Sequence, residues 1–238
     1  MGNPFARAMQ AAALLILAPA LSSGQSFFFL QMSDPQFGMY ADNRNFSQET
    51  TNFEFAISTA NRLRPAFVVV CGDLVNRPAD PAQMAEYWRI AHKLDSAIPL
   101  YNVAGNHDVG NEPTPESLGA YRKNFGPDYY TFRHGNFEGL VLDSSLIQHP
   151  EKAPEEAARQ ERWLTTELRK ASVAGSRRLV IFQHIPWFLE TPDEPDQYFN
   201  IPLAARSRYL ALFKRSGVKY VFAGHTHRNV YGNSPSLH

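Results

Sequence analysis

Five segments of the chain end in side chains that can bind metal ions or transfer protons, and each segment follows an apolar run. In one of them, Asn106-His107-Asp108 follows the largely apolar residues 98–103 and a glycine that permits a tight turn. Because such side chains recur at the ends of apolar runs, we interpret them as one shared site and not as independent polar loops. The candidate residues are Asp34, Gln36, Asp73, Asn106, His107, Asp108, His184, His225 and His227.

These side chains offer carboxylate oxygens, amide oxygens and imidazole nitrogens, but no thiolate. Such a donor set suits Mn, Fe or Zn ions and differs from a structural zinc site built from cysteines. Two ions ~3.5–4 Å apart form the arrangement used in phosphoryl transfer. The chain has neither a glycine-rich phosphate loop with lysine nor a Gly-x-Ser-x-Gly segment. Metal-assisted hydrolysis is therefore the reaction class that the residues favour.

The periodicity of apolar residues places the candidates at the ends of strands. The predicted strands cover residues 27–32, 67–71, 98–103, 179–182 and 218–223, with a hairpin formed by 129–133 and 140–143. The predicted helices cover residues 47–63, 81–94, 115–125, 154–171 and 204–216. This alternation predicts an α/β fold of βαβ units, with a largely parallel sheet covered on both faces. Ligands of such sheets collect beyond the carboxyl ends of the strands, where the candidates lie.

Composition and charge limit the partners. The 238 residues are enough for one domain with a sizeable core. Lys plus Arg and Asp plus Glu number 23 each, so the formal net charge is zero. A neutral chain lacks the broad electrostatic surface that nucleic acid or anionic lipid requires, so neither is an expected partner.

The first residues have the pattern of an export signal. Arg7 precedes a short apolar stretch at residues 11–21, and small residues follow, which predicts cleavage near Gly24. The stretch is too short to span a membrane, and the alternative is an N-terminal helix of the folded domain. We therefore expect a signal peptide at residues 1–24, a domain at residues 25–238, and a secreted or periplasmic protein. The single cysteine, Cys71, leaves no internal disulfide and is predicted to be a small buried hydrophobic residue.

The ordered motifs resemble the calcineurin-like metallophosphoesterases over about residues 27–229. The resemblance is carried by Asp34-Pro35-Gln36, Gly72-Asp73, Gly105-Asn106-His107-Asp108, His184 and Gly224-His225-Thr226-His227. Residues 106–111 and 182–186 are further similar to the subgroup called calcineurin-like phosphoesterase domain-containing protein 1, regarded as a protein serine/threonine phosphatase. The resemblance implies a β-sandwich flanked by helices around a βαβαβ core.

The resemblance also implies a role for each candidate. The first of two metal ions would be held by Asp34, Gln36, Asp73 and His227. Asp73 would bridge to the second ion, which would be completed by Asn106, His184 and His225. His107 would face the leaving oxygen as a general acid, and Asp108 would orient its imidazole. Gln36 stands where the wider family usually has histidine, which favours Mn or Fe over Zn.

The implied reaction is hydrolysis of a phosphomonoester by hydroxide bound at the dinuclear metal centre. The substrate would be a phosphorylated small molecule or a phosphoprotein. The alternatives are phosphodiester hydrolysis at the same centre and a non-catalytic fragment. The fragment alternative arises because eleven residues follow His227. With so few residues, we expect the second sheet to lack its closing strands.

An acidic segment at residues 190–196 precedes Tyr198 and Phe199. It is interpreted as a solvated loop, or alternatively as a segment that selects the substrate, because it follows His184 closely. Asn76, just beyond Asp73, is interpreted either as a supporting residue of the site or as an ordinary turn residue.

Overall fold

Two β-sheets pack against each other in the computed structural model, which describes residues 26–174 and 178–234. The predicted signal peptide lies outside the described residues. Within the described ranges, no helix combines the length and the apolar character needed to cross a membrane.

The first sheet is parallel and has the order β1-β2-β3. Its strands are β1 (Leu30–Met32), β2 (Val68–Cys71) and β3 (Leu100–Val103). The second sheet has the order β4-β5-β6-β7, with strands β4 (Tyr130–His134), β5 (Phe137–Val141), β6 (Arg178–Phe182) and β7 (Tyr220–Phe222). The pair β4–β5 is antiparallel, and the other neighbours in this sheet are parallel.

Helices cover the outer surface of each sheet. They are α1 (Ser47–Leu63), α2 (Pro81–Ala91), α3 (Asn106–Val109), α4 (Pro115–Phe125), α5 (Ser144–Gln148), α6 (Pro154–Ala174) and α7 (Leu203–Ser216). The side chain of Asp80 caps α2 by accepting from two backbone amides, and the side chain of Thr114 caps α4 by accepting from the Ser117 amide. The helix starts predicted from these capping residues are confirmed.

The period of two along β2 explains how the sheet is buried on both faces. Val69 and Cys71 point into an inter-sheet core that is rich in phenylalanine, whereas Val68 and Val70 point towards α1 and α2. The inter-sheet core consists of Phe67, Val69, Cys71, Val103, Phe132, Phe137, Val141, Val180 and Phe182. A separate outer core lies between the second sheet and the helices α6 and α7.

The strand pattern predicted coverage on both faces but not what provides it. The strands divide into two sheets, and each sheet has helices on one face and the other sheet on its second face. A strand that is apolar on both faces does not reveal what covers it, so periodicity could not separate the two arrangements. The sandwich implied by the family resemblance is confirmed. The strand β7 lies at the edge of the second sheet, and the expected absence of further strands stays a prediction.

Candidate metal centre

All of the predicted metal donors lie at the carboxyl ends of strands, on one edge of the sandwich. Asp34 and Gln36 follow β1, Asp73 follows β2, and Asn106 begins α3 directly after β3. From the other sheet, His184 follows β6, and both His225 and His227 follow β7.

Two groups of donor atoms form where these strand ends meet. Atoms of Asp73, His184 and His225 lie within 4.8 Å of one another, and so do atoms of Asp34, Asp73 and His227. Asp73 belongs to both groups. Because a shared carboxylate is what two neighbouring cations need as a bridge, the arrangement fits a pair of metal ions.

The ring of His184 is held with one nitrogen pointing into the centre. Its Nδ1 lies 2.8 Å from the Cys71 carbonyl, which can only accept, so Nδ1 carries the hydrogen. The opposite nitrogen, Nε2, lies 3.1 Å from Asn106 Oδ1 and 3.2 Å from Asp73 Oδ2. Three donor atoms therefore converge, and the main chain fixes the tautomer in the way that is common for metal-binding histidines.

The ring of His225 is also oriented by a main-chain carbonyl, but through Nε2 where His184 uses Nδ1. Its Nε2 lies 3.2 Å from the carbonyl oxygen of Tyr198, which leaves Nδ1 as the nitrogen available to a metal ion. Its backbone amide donates to Asp34 Oδ1 at 3.1 Å, and His227 Nε2 lies 3.4 Å from the same oxygen. His225 is buried, whereas His227 is exposed, so the centre is open to solvent on one side.

Gln36 provides a direct test of whether the donor set fits a cation. Its Nε2 donates to Asn76 Oδ1 at 3.0 Å, but its buried Oε1 has no hydrogen-bond partner. A buried carbonyl oxygen without a partner carries an unfavourable desolvation cost. A metal ion bound at this oxygen would remove that cost, so Gln36 fits the proposed ligand set.

The backbone is strained at most of these positions. Nine non-glycine residues in the described ranges have positive φ, and five of them are predicted donors, namely Asp34 (56°), Gln36 (38°), Asp73 (51°), His225 (73°) and His227 (49°). Each such residue costs on the order of 1 kcal/mol or more, and strain of this kind persists where function requires it. The concentration of strain indicates a functional centre independently of the side-chain chemistry.

Two glycines allow the strand ends to come this close. A β-carbon at Gly105 would collide with the backbone and the carboxylate of Asp73. At Gly72, which has φ +79°, a β-carbon would lie 2.6 Å from the His184 ring. The glycines in the two motifs therefore make room for Asp73 and His184, in addition to permitting turns.

The charged groups of the centre shift one another's pKa values. Burial alone would raise the pKa of Asp73, yet His184 and His107 hold it below its ordinary value. Burial alone would lower the pKa of His184, but the Asp73 carboxylate raises it to about 9. For His225, burial and the neighbouring His184 lower the pKa to about 4. The cluster thus holds positive charge next to Asp73, where a cation would also be stabilised.

The expected contact between Asp108 and the imidazole of His107 is wrong. The ring nitrogen Nδ1 of His107 instead lies 3.0 Å from the carbonyl oxygen of Asn76. The buried carboxylate of Asp108 accepts from the amides of Leu74 (2.8 Å), Val75 (3.0 Å) and Gly105 (2.8 Å). Asp108 therefore joins two loops, and no hydrogen bond between its carboxylate and the His107 ring is present among the described residues.

Sequence reasoning missed or left open three residues that contact the site. Asn76 was left open, and the structure shows that it contacts both Gln36 and His107. The Oγ of Ser144 accepts from the backbone amides of His184 and Ile185, and nothing in the local pattern indicated this. Tyr198 contacts Asn106 and His225, and its only sequence signal was an aromatic pair beside an acidic loop.

The fold and the donor set define the class of protein: an α/β sandwich whose two sheets meet at paired metal-competent groups, as in hydrolases with two metal ions. The family profile described as Calcineurin-like phosphoesterase matches residues 29–229. The chain therefore belongs to the calcineurin-like phosphoesterase family, and it is a hydrolase that acts on phosphoric ester bonds.

Relatives agree in sequence and in fold. Serine/threonine-protein phosphatase CPPED1 from Bos taurus is 39% identical over 226 residues, which cover 89% of this chain and 72% of that protein. The protein of the same name from Homo sapiens is 37% identical over 227 residues, with the same coverage of 89% and 72%. A solved dimetal phosphatase from Danio rerio superposes with a TM-score of 0.64 at 16% identity, covering 88% of this chain and 84% of that chain. The resemblance inferred from the ordered motifs is confirmed.

Proposed function

We propose that this protein hydrolyses phosphomonoesters at a centre of two metal ions that share Asp73. The observation that carries the proposal is the presence of Asp73 in both donor groups, each within 4.8 Å. One ion would be held by Asp34, Gln36, Asp73 and His227. The other would be held by Asp73, Asn106, His184 and His225. When bound, the ions supply Lewis acidity and a water nucleophile of lowered pKa.

The charges of the donor set suit an anionic substrate. Asp34 and Asp73 are the two carboxylates among the seven donors, and Gln36 and Asn106 contribute neutral amide oxygens. Two divalent ions would therefore leave a net positive centre that attracts a phosphate dianion. A bridging ligand must be anionic to offset repulsion between the ions, which Asp73 satisfies and an amide would not.

His107 is proposed to protonate the leaving oxygen. The contact of its Nδ1 with the Asn76 carbonyl fixes the ring and assigns the hydrogen to that nitrogen, which leaves Nε2 to exchange a proton with the substrate. Its backbone amide donates to Asp73 Oδ1 at 2.9 Å, so the residue is tied to the shared carboxylate. General acid catalysis of this kind contributes about 10²–10⁴-fold in rate.

Mn or Fe is the proposed metal, with Zn a weaker fit. Gln36 replaces a nitrogen donor with an oxygen donor at one ion, and oxygen ligands suit Mn better than Zn. Replacing Gln36 with histidine should shift the metal content of purified protein towards Zn, as measured by mass spectrometry of the metals. An unchanged metal preference in Gln36→His would contradict this assignment.

The phosphorylated side chain of a serine or threonine in a protein is the proposed substrate class. Support comes from the relatives, which are named serine/threonine-protein phosphatases. The exposed position of His227 also leaves one side of the centre open, as a substrate carried on a folded protein would need.

Steady-state kinetics with Mn²⁺ test this function. We expect turnover of 4-nitrophenyl phosphate and of a phosphoserine peptide, and far slower turnover of bis(4-nitrophenyl) phosphate. Faster turnover of the diester would identify a phosphodiesterase. No turnover of any of the three by folded, metal-loaded protein would overturn the proposal, and Asp73→Asn serves as the inactive control.

A further inference from the structure

Tyr198 contacts the metal centre in three ways, although it lies in an irregular loop. Its hydroxyl oxygen accepts from Asn106 Nδ2 at 3.2 Å, and its carbonyl oxygen lies 3.2 Å from His225 Nε2. Its ring lies 4.9 Å from the ring of His225, centroid to centroid. Asn106 Nδ2 also donates to Asn111 Oδ1 at 2.8 Å. Tyr198 is therefore beside donors from both sheets.

The hydroxyl of Tyr198 has a hydrogen available for a ligand. A phenol can accept and donate at the same time, and it is protonated at neutral pH. Here the oxygen accepts from Asn106 Nδ2, and the described residues include no hydrogen bond donated by this hydroxyl. Tyr198 is 53% exposed and its ring packs against the ring of His225, so the residue lies at the solvent-facing rim of the centre.

The loop that carries Tyr198, residues 190–200, is held rigidly. The carboxylate of Glu194 accepts from the backbone amides of Leu189, Glu190 and Thr191 where the loop begins, and from Asn200 Nδ2 at 2.7 Å. The fully buried Arg206 of α7 donates to the Glu194 carbonyl at 2.7 Å and pairs with Asp196 at 3.3 Å. An ordered loop positions its exposed aromatic side chains with little entropy left to lose when a substrate binds.

Phe199 extends the aromatic surface. Its ring lies 5.5 Å from the ring of His225 and is 39% exposed. Two rigidly held, exposed aromatic rings next to polar donors form a surface that suits the organic part of an ester, since aromatic rings supply contact area at low entropic cost.

We propose that Tyr198 is a substrate-binding residue, whose hydroxyl donates a hydrogen bond to a phosphoryl oxygen and whose ring contacts the organic part of the ester. The proposal rests on the proposed phosphomonoesterase function. It assigns to the loop at residues 190–200 the selection of esters with an aromatic or apolar group over small polar ones.

The test compares Tyr198→Phe and Tyr198→Ala with wild type, all loaded with Mn²⁺. Calorimetry with inorganic phosphate should show binding weakened roughly tenfold or more in Tyr198→Phe, because a hydrogen bond to an anion is lost. Metal content should be unchanged in both variants. Tyr198→Ala should in addition raise the KM for 4-nitrophenyl phosphate more than the KM for glycerol phosphate. The matched control is Tyr220→Phe, at the opposite end of β7, which should bind phosphate as wild type does.

Each alternative outcome has a definite meaning. Phosphate binding by Tyr198→Phe equal to that of wild type would overturn the proposal, and so would a loss of binding that parallels a loss of metal, since Tyr198 would then only support the ligands. Failure of metal-loaded wild type to bind phosphate would overturn it too. If wild type binds phosphate and Tyr198→Phe binds it weakly, but neither turns over any ester, the role of Tyr198 stands and the proposed function fails.

Discussion

Asn106 and His107 are neighbours in the chain, yet the structure gives them different surroundings. The carbonyl oxygen of Asn106 faces His184 in the interior of the centre, whereas the ring of His107 is half-buried and is held by the Asn76 main chain. One residue is therefore suited to holding a metal ion, and the other to exchanging a proton with a substrate.

Alanine substitutions should separate these two roles. Asn106→Ala removes a proposed ligand and should lower the metal content of the purified protein. His107→Ala should retain both ions and lose about 10²–10⁴-fold in kcat. Metal analysis and steady-state kinetics on the same preparations provide the measurement. Equal metal loss in both variants would count against the division of roles.

Asp143 is a buried titratable residue outside the proposed ligand set. It caps α5, where Oδ1 accepts from the Leu146 amide at 3.0 Å, while Oδ2 has no hydrogen-bond partner. Burial and the nearby Asp128 raise the pKa of Asp143 from 3.8 to about 7. The folded protein therefore holds a proton that the unfolded chain releases above about pH 4.

This shift predicts a pH-dependent effect of Asp143→Asn. Because the folded pKa is raised, the stabilising contribution of Asp143 is present below about pH 4 and is lost as pH rises towards 7. Asparagine keeps a capping oxygen without a titrating proton. As the pH rises from 5 to 8, the unfolding free energy of the variant should increase relative to that of wild type by on the order of 2 kcal/mol. Urea unfolding of both proteins at the two pH values measures this, and a difference that is independent of pH would refute it.

At the scale of elements, the short helix α3 is placed by Asp108. The carboxylate accepts from the Gly105 amide at the start of α3 and from the amides of Leu74 and Val75 after β2. These contacts bring the end of β2 against the start of α3, which in turn aligns Asp73 with Asn106. Asp108 is thus a connection between two elements, although the family resemblance implied that it orients the His107 imidazole.

Asp108→Asn should reveal this connecting role. An amide offers one acceptor oxygen where the carboxylate offers two, so at least one buried backbone amide loses its partner. We expect unfolding free energy to fall by about 1–3 kcal/mol. The shape of the pH–rate profile should stay that of wild type, because the His107 ring keeps its contact with Asn76. A shifted profile with unchanged thermal stability would instead restore the orienting role.

Long elements were predictable, but short ones were not. The bounds of α1 and the capped starts of α2 and α4 follow from apolar spacing and from Asp80 and Thr114. The helices α3 and α5, with four and five residues, are too short to show a period of 3.6. In the hairpin, β5 begins at Phe137, three residues before the predicted residue 140, because the turn needs only two residues.

At the scale of the whole molecule, the proposed metal centre joins the two sheets. Donors from the first sheet are Asp34, Gln36, Asp73 and Asn106, and those from the second are His184, His225 and His227. Metal binding would therefore link two halves of the fold that otherwise meet through the inter-sheet aromatic core.

Bound metal should accordingly raise the melting temperature. At a free Mn²⁺ concentration 100 times its Kd, one site contributes about 2.7 kcal/mol. For a protein of this size that corresponds to roughly 5–10 °C. Thermal melts in EDTA and in Mn²⁺ provide the measurement, with Asp73→Asn as the variant that should lose most of the shift. A wild-type melting temperature that does not respond to Mn²⁺ would contradict a centre shared by both sheets.

The sequence alone determined the proposed donor residues, the strands that precede them and the family, because residue chemistry, local periodicity and motif order can all be read along the chain. The tertiary structure decided what depends on residues far apart in that order. It divided the strands between two sheets and placed the Asn76 carbonyl, not the Asp108 carboxylate, against the His107 ring. It also fixed the tautomers of His184 and His225 and placed Tyr198 beside Asn106. The physical reason is that such contacts arise when sheets pack, and packing joins residues as distant as Cys71 and His184, which no local pattern connects.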